Sequence, residues 1–368
     1  MKKRLVILID CISNLQAGAE RQMLALSKSI NNENFDLTLC SLESDGVSDK
    51  NLFVSNNIKF LTFPVKRIYG WSGFCQAFRF FKFLRKNKIE ILMTVHFSSD
   101  IWGTLVGRMA GVKRIISNRR DLGFWRGKGH IKAYRFINQF VDKIVVNASA
   151  STRCFIFDEL VPENKFLVIH NGVGIDKDIP VITRKELGLG EDEIVIVNVA
   201  NLTPVKGHKN LIDAMSVVVS KYQNVKVLLV GEDRLNGQIQ KSIEDKGLKK
   251  YFVYLGRHEY ARSIIETADI GVLSSISEGL SNSIMEYMSA AKPVIATDVG
   301  GNSELVEENV TGLLVDKSNP AKLANAILQL IYDKSLRLKM GAAGQTKIKR
   351  DFTMERMVGA YEKLFLNP

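Results

Sequence analysis

The sequence has 368 residues, of which 46% are hydrophobic and 24% charged, and its formal net charge is +12. This length suffices for two domains with separate cores, and no apolar run approaches the roughly 18–20 residues that span a bilayer. The four cysteines lack Cys-x-x-Cys spacing, so they indicate neither a disulfide framework nor a zinc site, and they predict a reducing cytoplasm.

The excess of positive charge suggests an anionic partner. The basic residues are dispersed and no nucleic-acid module is visible, so we expect no nucleic-acid partner. An anionic membrane surface or a phosphorylated lipid acceptor fits the charge better. We therefore expect a cytoplasmic protein with peripheral contact to the inner face of the cytoplasmic membrane.

The first half of the chain alternates predicted strands and helices. The apolar run at residues 5–9 ends at Asp10, too early for a signal peptide, and predicts a buried first strand. A loop at residues 13–19 and a helix over about residues 20–30 follow. Further strands are expected at residues 36–40, 59–63, 89–95, 114–117, 143–146 and 166–169. This alternation predicts a parallel, doubly wound sheet, and the absence of Gly-x-Gly-x-x-Gly after the first strand argues against a dinucleotide-binding dehydrogenase.

Residues 66–88 mix aromatic and basic side chains more densely than any other segment. A helix over about residues 73–86 is predicted, with Phe80 and Phe83 broadening its apolar arc. The expected core face comprises Phe74, Ala77, Phe78, Phe81 and Leu84, and the expected opposite cluster comprises Arg79, Lys82 and Lys86. This composition is typical of an interfacial membrane helix, and an ordinary helix with a solvated basic face is the alternative.

Polar residues follow two strands of the first half. His96 ends the strand at residues 89–95, at the carboxyl edge where open α/β sheets bind ligands. Arg119 and Arg120 end the next strand, and guanidinium groups can hold an acidic or phosphorylated acceptor bidentately.

The connection between the two halves lies at residues 170–180. It contains Asp176-Lys177-Asp178, an Asp-x-Asp spacing that can hold a divalent metal. Two acids in a polar linker are ordinary, and we do not assign them a metal.

The second half repeats the alternation of strands and helices. Strands are predicted at residues 194–199, 225–230, 252–255, 270–273, 294–297 and 312–315, and one helix at residues 211–219. A last helix at residues 354–365 has an apolar stripe able to pack back on the first half.

The segment from Ser277 to Glu286 connects a predicted strand to a predicted helix. Ser281 or Asn282 is a good N-cap, so free backbone N–H groups and the positive end of the helix dipole favour an anion such as phosphate. Glu278 and Glu286 accept hydrogen bonds only, which suits hydroxyl groups. A nucleotide sugar offers a diphosphate and hydroxyl groups at both ends.

Several segments resemble, in order, the retaining family-4 glycosyltransferases of the GT-B fold. They are Ala17-Gly18-Ala19-Glu20-Arg21, His170-Asn171-Gly172-Val173-Gly174-Ile175-Asp176, Val199-Ala200-Asn201-Leu202, Lys206-Gly207, Leu229-Val230-Gly231, Tyr254-Leu255-Gly256, Glu278 with Glu286, Pro293-Val294-Ile295-Ala296-Thr297 and Gly300-Gly301-Asn302-Ser303-Glu304. The resemblance is dense from about residue 166 to 320 and sparse before it.

The resemblance implies two Rossmann-like domains with the active site in the cleft between them. The first, residues 1–175, would bind the acceptor, with a helix at about 352–368 packing back on it. The second, residues 176–351, would bind the nucleotide sugar.

The resemblance also implies roles for individual residues. Glu278, Lys206 and His96 would be catalytic, and Arg119 and Arg120 would lie with His96 on the acceptor side. Asn201 stands where the family often has Arg, so Lys206 would carry more of the phosphate charge. The donor would be bound by Gly18, Asn201, Lys206, Gly256, Arg257, Glu278, Gly279, Leu280, Ser281, Asn282, Ser283 and Glu286.

We therefore expect a retaining glycosyltransferase. It would move a hexose-type sugar, from a UDP-sugar first of all, to a hydroxyl of a glycan or polyprenyl-lipid-linked acceptor in cell-surface polysaccharide synthesis. No metal or other cofactor is expected. A nucleotide-sugar 2-epimerase of similar fold and a non-catalytic sugar- or membrane-binding protein are the alternatives.

Overall fold

The computed structural model describes residues 2–12, 18–43, 58–174 and 179–367. The chain divides into two compact units, Met1–Gly172 with Met354–Pro368, and Val173–Thr353, which we call unit 1 and unit 2. The predicted boundary between residues 175 and 176 lies outside the described residues, and so do Asp176 and Asp178.

Unit 1 contains a seven-stranded parallel sheet in the order β3-β2-β1-β4-β5-β6-β7. Its strands are short runs of Val, Ile and Leu that helices cover on both faces, as parallel sheets require. All strands predicted for the first half form, within two residues at each end. They are β1 Lys3–Ile9, β2 Phe35–Ser41, β3 Lys59–Thr62, β4 Ile91–Val95, β5 Arg114–Arg119, β6 Lys143–Val146 and β7 Phe166–Val168.

The strand order of unit 1 reverses at β1. The chain builds outward from β1 to β2 and β3, then returns to place β4 on the other side of β1. Such a reversal opens a crevice at the carboxyl ends of the strands. Asp10 follows β1 and His96 follows β4, so both lie at this edge.

The helices of unit 1 cover this sheet. They are α1 Gly18–Ser29, α2 Trp71–Lys86, α3 Phe97–Met109, α4 Lys128–Ile137, α5 Ser149–Glu159 and, from the end of the chain, Met354–Leu366. The terminal helix buries the apolar stripe seen in its sequence: Tyr361 and Phe365 are fully buried in the cluster that contains Leu5.

Helix α2 buries a different face from the one predicted. Phe80 and Leu84 are the buried side chains, whereas Phe74 and Phe78 are 70% and 57% exposed. Phe80 packs between Phe63 and Trp102, and this contact sets the rotation of the helix. The expectation that Phe74 and Phe78 face the core is therefore wrong.

Unit 2 contains a six-stranded parallel sheet in the order β10-β9-β8-β11-β12-β13. Its strands also agree with the predicted ones: β8 Ile194–Val199, β9 Val225–Val230, β10 Phe252–Gly256, β11 Ile270–Leu273, β12 Val294–Thr297 and β13 Gly312–Val315. This order reverses at β8, which has β9 on one side and β11 on the other, so the loops after β8 and β11 meet at the carboxyl edge.

Helices pack around the sheet of unit 2. They are α6 His208–Lys221, α7 Gln238–Asp245, α8 Ala261–Thr267, α9 Asn282–Ser289, α10 Asn302–Leu305, α11 Pro320–Tyr332 and α12 Lys334–Asp351. The terminal helix Met354–Leu366 of unit 1 is α13.

None of the helices in the described ranges has the length and apolar character needed to cross a membrane.

Candidate active site

The loops after β8 and β11 are joined by backbone and side-chain hydrogen bonds. The N–H of Ile276 donates to the carbonyl oxygen of Val205 over 2.8 Å, and the Ser274 hydroxyl donates to the carbonyl oxygen of Gly207 over 3.1 Å. Because both loops begin at adjacent strands, their functional side chains converge. Lys206 and Glu278, 72 residues apart in sequence, are brought together here.

Lys206 and Glu278 form an ion pair, with Nζ 2.6 Å from Oε1. The Ser275 hydroxyl donates to the same carboxylate oxygen over 2.6 Å. The lysine side chain is 28% exposed and the glutamate side chain 9%. The pair is therefore open on the lysine side, where an anion could compete with Glu278 for the ammonium group.

The N-terminus of α9 is capped as its sequence indicates. The Ser281 hydroxyl accepts a hydrogen bond from the N–H of Ile284 over 3.3 Å, and the Ser283 hydroxyl donates to the carbonyl oxygen of Val199 over 2.6 Å. The second bond ties α9 to the end of β8. The first turn of α9 is thus held beside the loop that carries Lys206.

Two glycines allow the loops to approach each other this closely. Gly207 has φ of 63°, and a Cβ there would lie 2.2 Å from the Ser274 carbonyl oxygen. Gly300 has φ of 56°, and its Cβ would lie 1.7 Å from the Glu278 carbonyl oxygen. Both conformations favour glycine, and both contacts leave no room for a side chain. Gly300, in the Gly-Gly pair after β12, therefore supports the backbone of Glu278.

Glu286 lies on the second turn of α9 and is half-buried. Gly279 and Leu280, which precede the cap, are buried. Between Glu278 and α9, the chain therefore presents backbone atoms rather than exposed side chains.

The remaining predicted donor residues of unit 2 lie at the same sheet edge, towards β9 and β10. The amide oxygen of Asn201 accepts a hydrogen bond from the N–H of Glu232 over 3.0 Å. Gly256, at the end of β10, accepts one from the N–H of Gly231 over 2.8 Å, and Arg257 follows it. Asn201 therefore holds the loop after β9, a role that a charged Arg would not fill in the same way.

His208 is 2% exposed at the start of α6. Neither ring nitrogen makes a hydrogen bond of normal geometry with the described residues, although the Ala200 backbone lies close enough to raise the pKa slightly. Burial first, and then the charge of Lys206, lower the pKa of His208 to about 4. The imidazole is neutral in the folded protein at neutral pH.

This shift predicts a loss of stability in acid. Between pH 6.5 and 4 the unfolded chain binds a proton at His208 and the folded chain does not, so the free energy of unfolding falls as pH falls. The loss reaches about 3 kcal/mol at pH 4. Urea unfolding followed by circular dichroism should show this dependence in wild type and not in His208→Phe, and an equal pH dependence in both would contradict it.

In unit 1 the structure brings His96, Arg119 and Arg120 to one pocket at the carboxyl edge of the sheet, together with Asp10, Asp121 and Trp125. Its volume is about 240 Å³. His96 has φ of 79°, unusual for a residue with a side chain, and such strain is often retained at functional sites. Gly18 begins α1, and Ala17 lies outside the described residues.

Arg119 is not available to an acceptor. Its guanidinium group contacts the Glu159 carboxylate and donates to the Asn138 amide oxygen over 2.6 Å, and its side chain is 4% exposed. It also stacks on Tyr134 and Phe155. The expectation that Arg119 grips an acidic acceptor is wrong, because the group that would do so is neutralised within unit 1.

Arg120 is also engaged but less deeply buried. It donates to the Tyr361 hydroxyl over 3.3 Å and to the Asn171 amide oxygen. It thereby connects β5 to α13.

In the described part of the chain, no group of three or more His, Cys, Asp or Glu side chains could hold a metal ion.

Two family models match this chain and together extend over both units. A model of glycosyltransferase family 4 matches residues 17–177, and a model described as glycosyl transferases group 1 matches residues 182–347.

Two curated relatives illustrate the likeness. The UDP-Gal:alpha-D-GlcNAc-diphosphoundecaprenol alpha-1,3-galactosyltransferase of Escherichia coli is 24% identical over 371 residues, covering 96% of this chain and 94% of that one. The GDP-mannose-dependent monoacylated alpha-(1-6)-phosphatidylinositol monomannoside mannosyltransferase of Corynebacterium glutamicum is 28% identical over 267 residues, covering 68% and 69%.

The fold is also that of solved structures. Anabaena Alr3699/HepE in complex with UDP superposes with a TM-score of 0.85 at 21% identity, covering 99% of both chains, and the same protein is known in complex with UDP-glucose. The chain has two parallel sheets and matches both family models and these relatives. It therefore belongs to the family-4 glycosyltransferases of the GT-B fold and is a transferase.

Proposed function

We propose that this enzyme moves a hexose-type sugar from a UDP-sugar to a hydroxyl of a glycan or lipid-linked acceptor, with retention of configuration, in cell-surface polysaccharide synthesis. The observation that carries the proposal is the Lys206–Glu278 pair, which lies beside the capped N-terminus of α9. The UDP-glucose complex of HepE and the UDP-Gal and lipid-linked substrates in the name of the E. coli relative support the choice of donor and acceptor.

The donor would be bound along the carboxyl edge of unit 2. The diphosphate would bind to Lys206 and to the backbone N–H groups of residues 281–283, because a helix N-terminus favours anions. Once released from Lys206, Glu278 would accept hydrogen bonds from hydroxyls of the donor sugar. Glu286 would accept hydrogen bonds from the ribose hydroxyls. Gly256 and Arg257 would contact the base.

The difficult step is departure of the nucleoside diphosphate. The bond from the anomeric carbon to the diphosphate oxygen breaks with oxocarbenium character, and the negative charge develops beside Lys206 and α9. A preorganised cation and helix dipole stabilise this charge. The acceptor oxygen then bonds to the anomeric carbon, and its proton passes to the departing diphosphate.

UDP release in turnover amounts tests the proposal. Purified enzyme is incubated with UDP-glucose, UDP-galactose, UDP-N-acetylglucosamine or GDP-mannose, with and without a polyprenyl-diphosphate-linked sugar. We expect turnover with one UDP-sugar, and NMR of the product should show the donor's anomeric configuration. Release of a 2-epimerised free sugar would indicate an epimerase, and absence of turnover with every donor and acceptor would indicate a binding protein.

We also propose that this chemistry needs no divalent metal, since Lys206 and the N-terminus of α9 supply positive charge to the diphosphate. Activity should persist in EDTA. The control is Asp176→Asn with Asp178→Asn, which should behave as wild type with and without chelator. Loss of turnover in EDTA, restored by magnesium or manganese, would contradict this proposal.

We further propose that α2 attaches the enzyme to anionic membrane. Tyr69, Trp71, Phe74 and Phe78 are 87%, 79%, 70% and 57% exposed, and the ammonium group of Lys82 lies 4.2 Å from the Phe78 ring centroid. Because residues 71, 74, 78 and 82 recur at helical spacing, aromatic and basic groups share one face. Such a face suits the headgroup region of a bilayer.

Co-sedimentation with phosphatidylserine-containing vesicles checks this prediction. Each basic residue near an anionic surface contributes about 1 kcal/mol, so Arg79, Lys82 and Lys86 changed together to Glu should release the protein, as should Phe74→Ser with Phe78→Ser. The matched control reverses three exposed lysines of unit 2: Lys317, Lys334 and Lys339. If the control and the α2 variants bind vesicles equally, α2 is not the attachment site.

A further inference from the structure

The pocket of unit 1 is formed at the ends of three adjacent strands. Asp10 follows β1, His96 follows β4, and Asp121 follows β5 by two residues. Its volume of about 240 Å³ lies below the roughly 300–1,000 Å³ of sites for drug-sized ligands. It therefore has room for one small ring rather than for an oligosaccharide or a lipid chain.

Two of the three arginines that line the pocket are already neutralised. Arg126 contacts Glu159 and pairs with Asp158 over 3.0 Å, and its side chain is 3% exposed. Arg119 contacts the same Glu159 from the other side. Neither guanidinium group is free for an anionic ligand.

Asp10 and Asp121, two of the three aspartates that line the pocket, are held in fixed orientations. Asp10 accepts hydrogen bonds from the N–H groups of Ser98 and Ser99 over 3.0 and 2.6 Å. Asp121 accepts them from the N–H of Gly123 over 2.6 Å and from the Trp125 indole over 2.9 Å. Each carboxylate oxygen can accept a further bond, and neither group can donate one. Hydroxyl donors satisfy such groups, whereas phosphate oxygens placed against Asp10 and Asp121 would be repelled. The third lining arginine, Arg120, already donates to the Tyr361 hydroxyl and to the Asn171 amide oxygen.

An aromatic wall completes the pocket. Trp125 is 39% exposed, and its orientation is set by the bond to Asp121 and by edge contact with Phe97, whose ring centroid lies 5.7 Å away. Phe97 in turn contacts Tyr134 over 5.3 Å. An apolar surface beside oriented carboxylates matches a sugar ring, which has C–H groups on its faces and hydroxyls at its edge.

We propose that this pocket binds one neutral sugar ring of the acceptor, with Asp10 and Asp121 accepting its hydroxyls and Trp125 covering its C–H face. The proposal rests on the proposed transferase function and names the acceptor group that unit 1 recognises. It replaces the phosphorylated group expected from Arg119 and Arg120. His96 lines the same pocket and would contact the ring beside the reacting hydroxyl.

Ligand-observed NMR on the full chain saturated with UDP tests this proposal. The probes are the methyl glycosides of glucose, galactose and N-acetylglucosamine, with glucose 1-phosphate and inorganic phosphate as anionic competitors. We expect one neutral glycoside to bind and neither anion to displace it. Asp121→Asn should weaken that glycoside about tenfold or more, as expected for loss of a bond to a charged acceptor. Trp125→Ala should weaken it as well, because the C–H face of the ring loses its aromatic contact.

The matched control is Asp158→Asn, which removes the same charge from an exposed site outside the pocket, and it should keep the wild-type affinity. Thermal unfolding of each variant checks that it is folded. Preferred binding of either anion, binding of no neutral glycoside to wild type, or unchanged affinity in both folded pocket variants would overturn the inference. Donor hydrolysis by the wild type separates the two failures: if UDP-sugar is hydrolysed and no glycoside binds, only this inference fails.

Discussion

Lys206→Ala is expected to lower kcat by about 10²–10³, the loss typical of one preorganised group that stabilises transition-state charge. The lysine lies 2.6 Å from Glu278, on the loop between β8 and α6, and Asn201 adds no positive charge at this edge. Removing the ammonium group also leaves Glu278 without its cationic partner, so the donor diphosphate would meet an uncompensated carboxylate. Steady-state UDP release measures the effect.

Lys209→Ala is the matched control, because Lys209 is an exposed lysine three residues further along the same segment. It should keep wild-type kcat. A Lys206→Ala enzyme with near-wild-type kcat would remove Lys206 from the mechanism, and an increase confined to KM would indicate uniform donor binding instead. Asn201→Arg in the Lys206→Ala background should restore part of the rate, although this change removes the hydrogen bond that the Asn201 side chain accepts from the N–H of Glu232.

Glu159→Ala should destabilise unit 1 by about 3–5 kcal/mol, the cost of leaving buried charges uncompensated. The Glu159 side chain is 0% exposed and contacts both Arg119 and Arg126. It also accepts a hydrogen bond from the Asn138 amide over 2.9 Å. Trp71, Trp102 and Trp125 all belong to unit 1, so tryptophan fluorescence during urea unfolding follows this unit.

Asp158→Ala removes the neighbouring carboxylate and serves as its control. Asp158 is 48% exposed, and its ion-pair partner is Arg126. The Asp158 carboxylate is about half exposed, and Arg126 keeps the buried Glu159 as a partner, so this variant should unfold near the wild-type urea concentration. Equal midpoints for Glu159→Ala and Asp158→Ala would show that the buried cluster does not support unit 1.

The sheets were predictable because their signal is local. The strands are runs of three to seven residues, and most of them are rich in Val, Ile and Leu, because burial on both faces of a parallel sheet requires such runs. The rotation of α2 about its own axis was harder to predict from the sequence. Five phenylalanines lie within residues 74–83, and several rotations of α2 bury an apolar stripe. Only Phe63 and Trp102, which pack on Phe80, decide between them.

The candidate site shows the same division. Strand–loop–helix spacing predicts the cap at Ser281. The family motifs predict that Lys206 lies near the segment that carries Glu278. The bonds from Glu278 to Lys206 and Ser275 do not, because they join loops whose contact depends on β8 and β11 being neighbours. A signal for Gly300 was present in the Gly-Gly pair after β12, but its contact with Glu278 needs the folded backbone.

The alternation of strands and helices, the parallel sheets and the transferase family could be read from the sequence, because hydrophobic period and ordered motifs are properties of neighbouring residues. Which charges are free could not be read from the sequence. Arg119 and Glu159 are separated by 40 residues and look like ordinary surface charges in sequence, yet they neutralise each other in a buried cluster. The free energy of a charge depends on burial and on partners from distant segments, and these exist only once the sheet has formed.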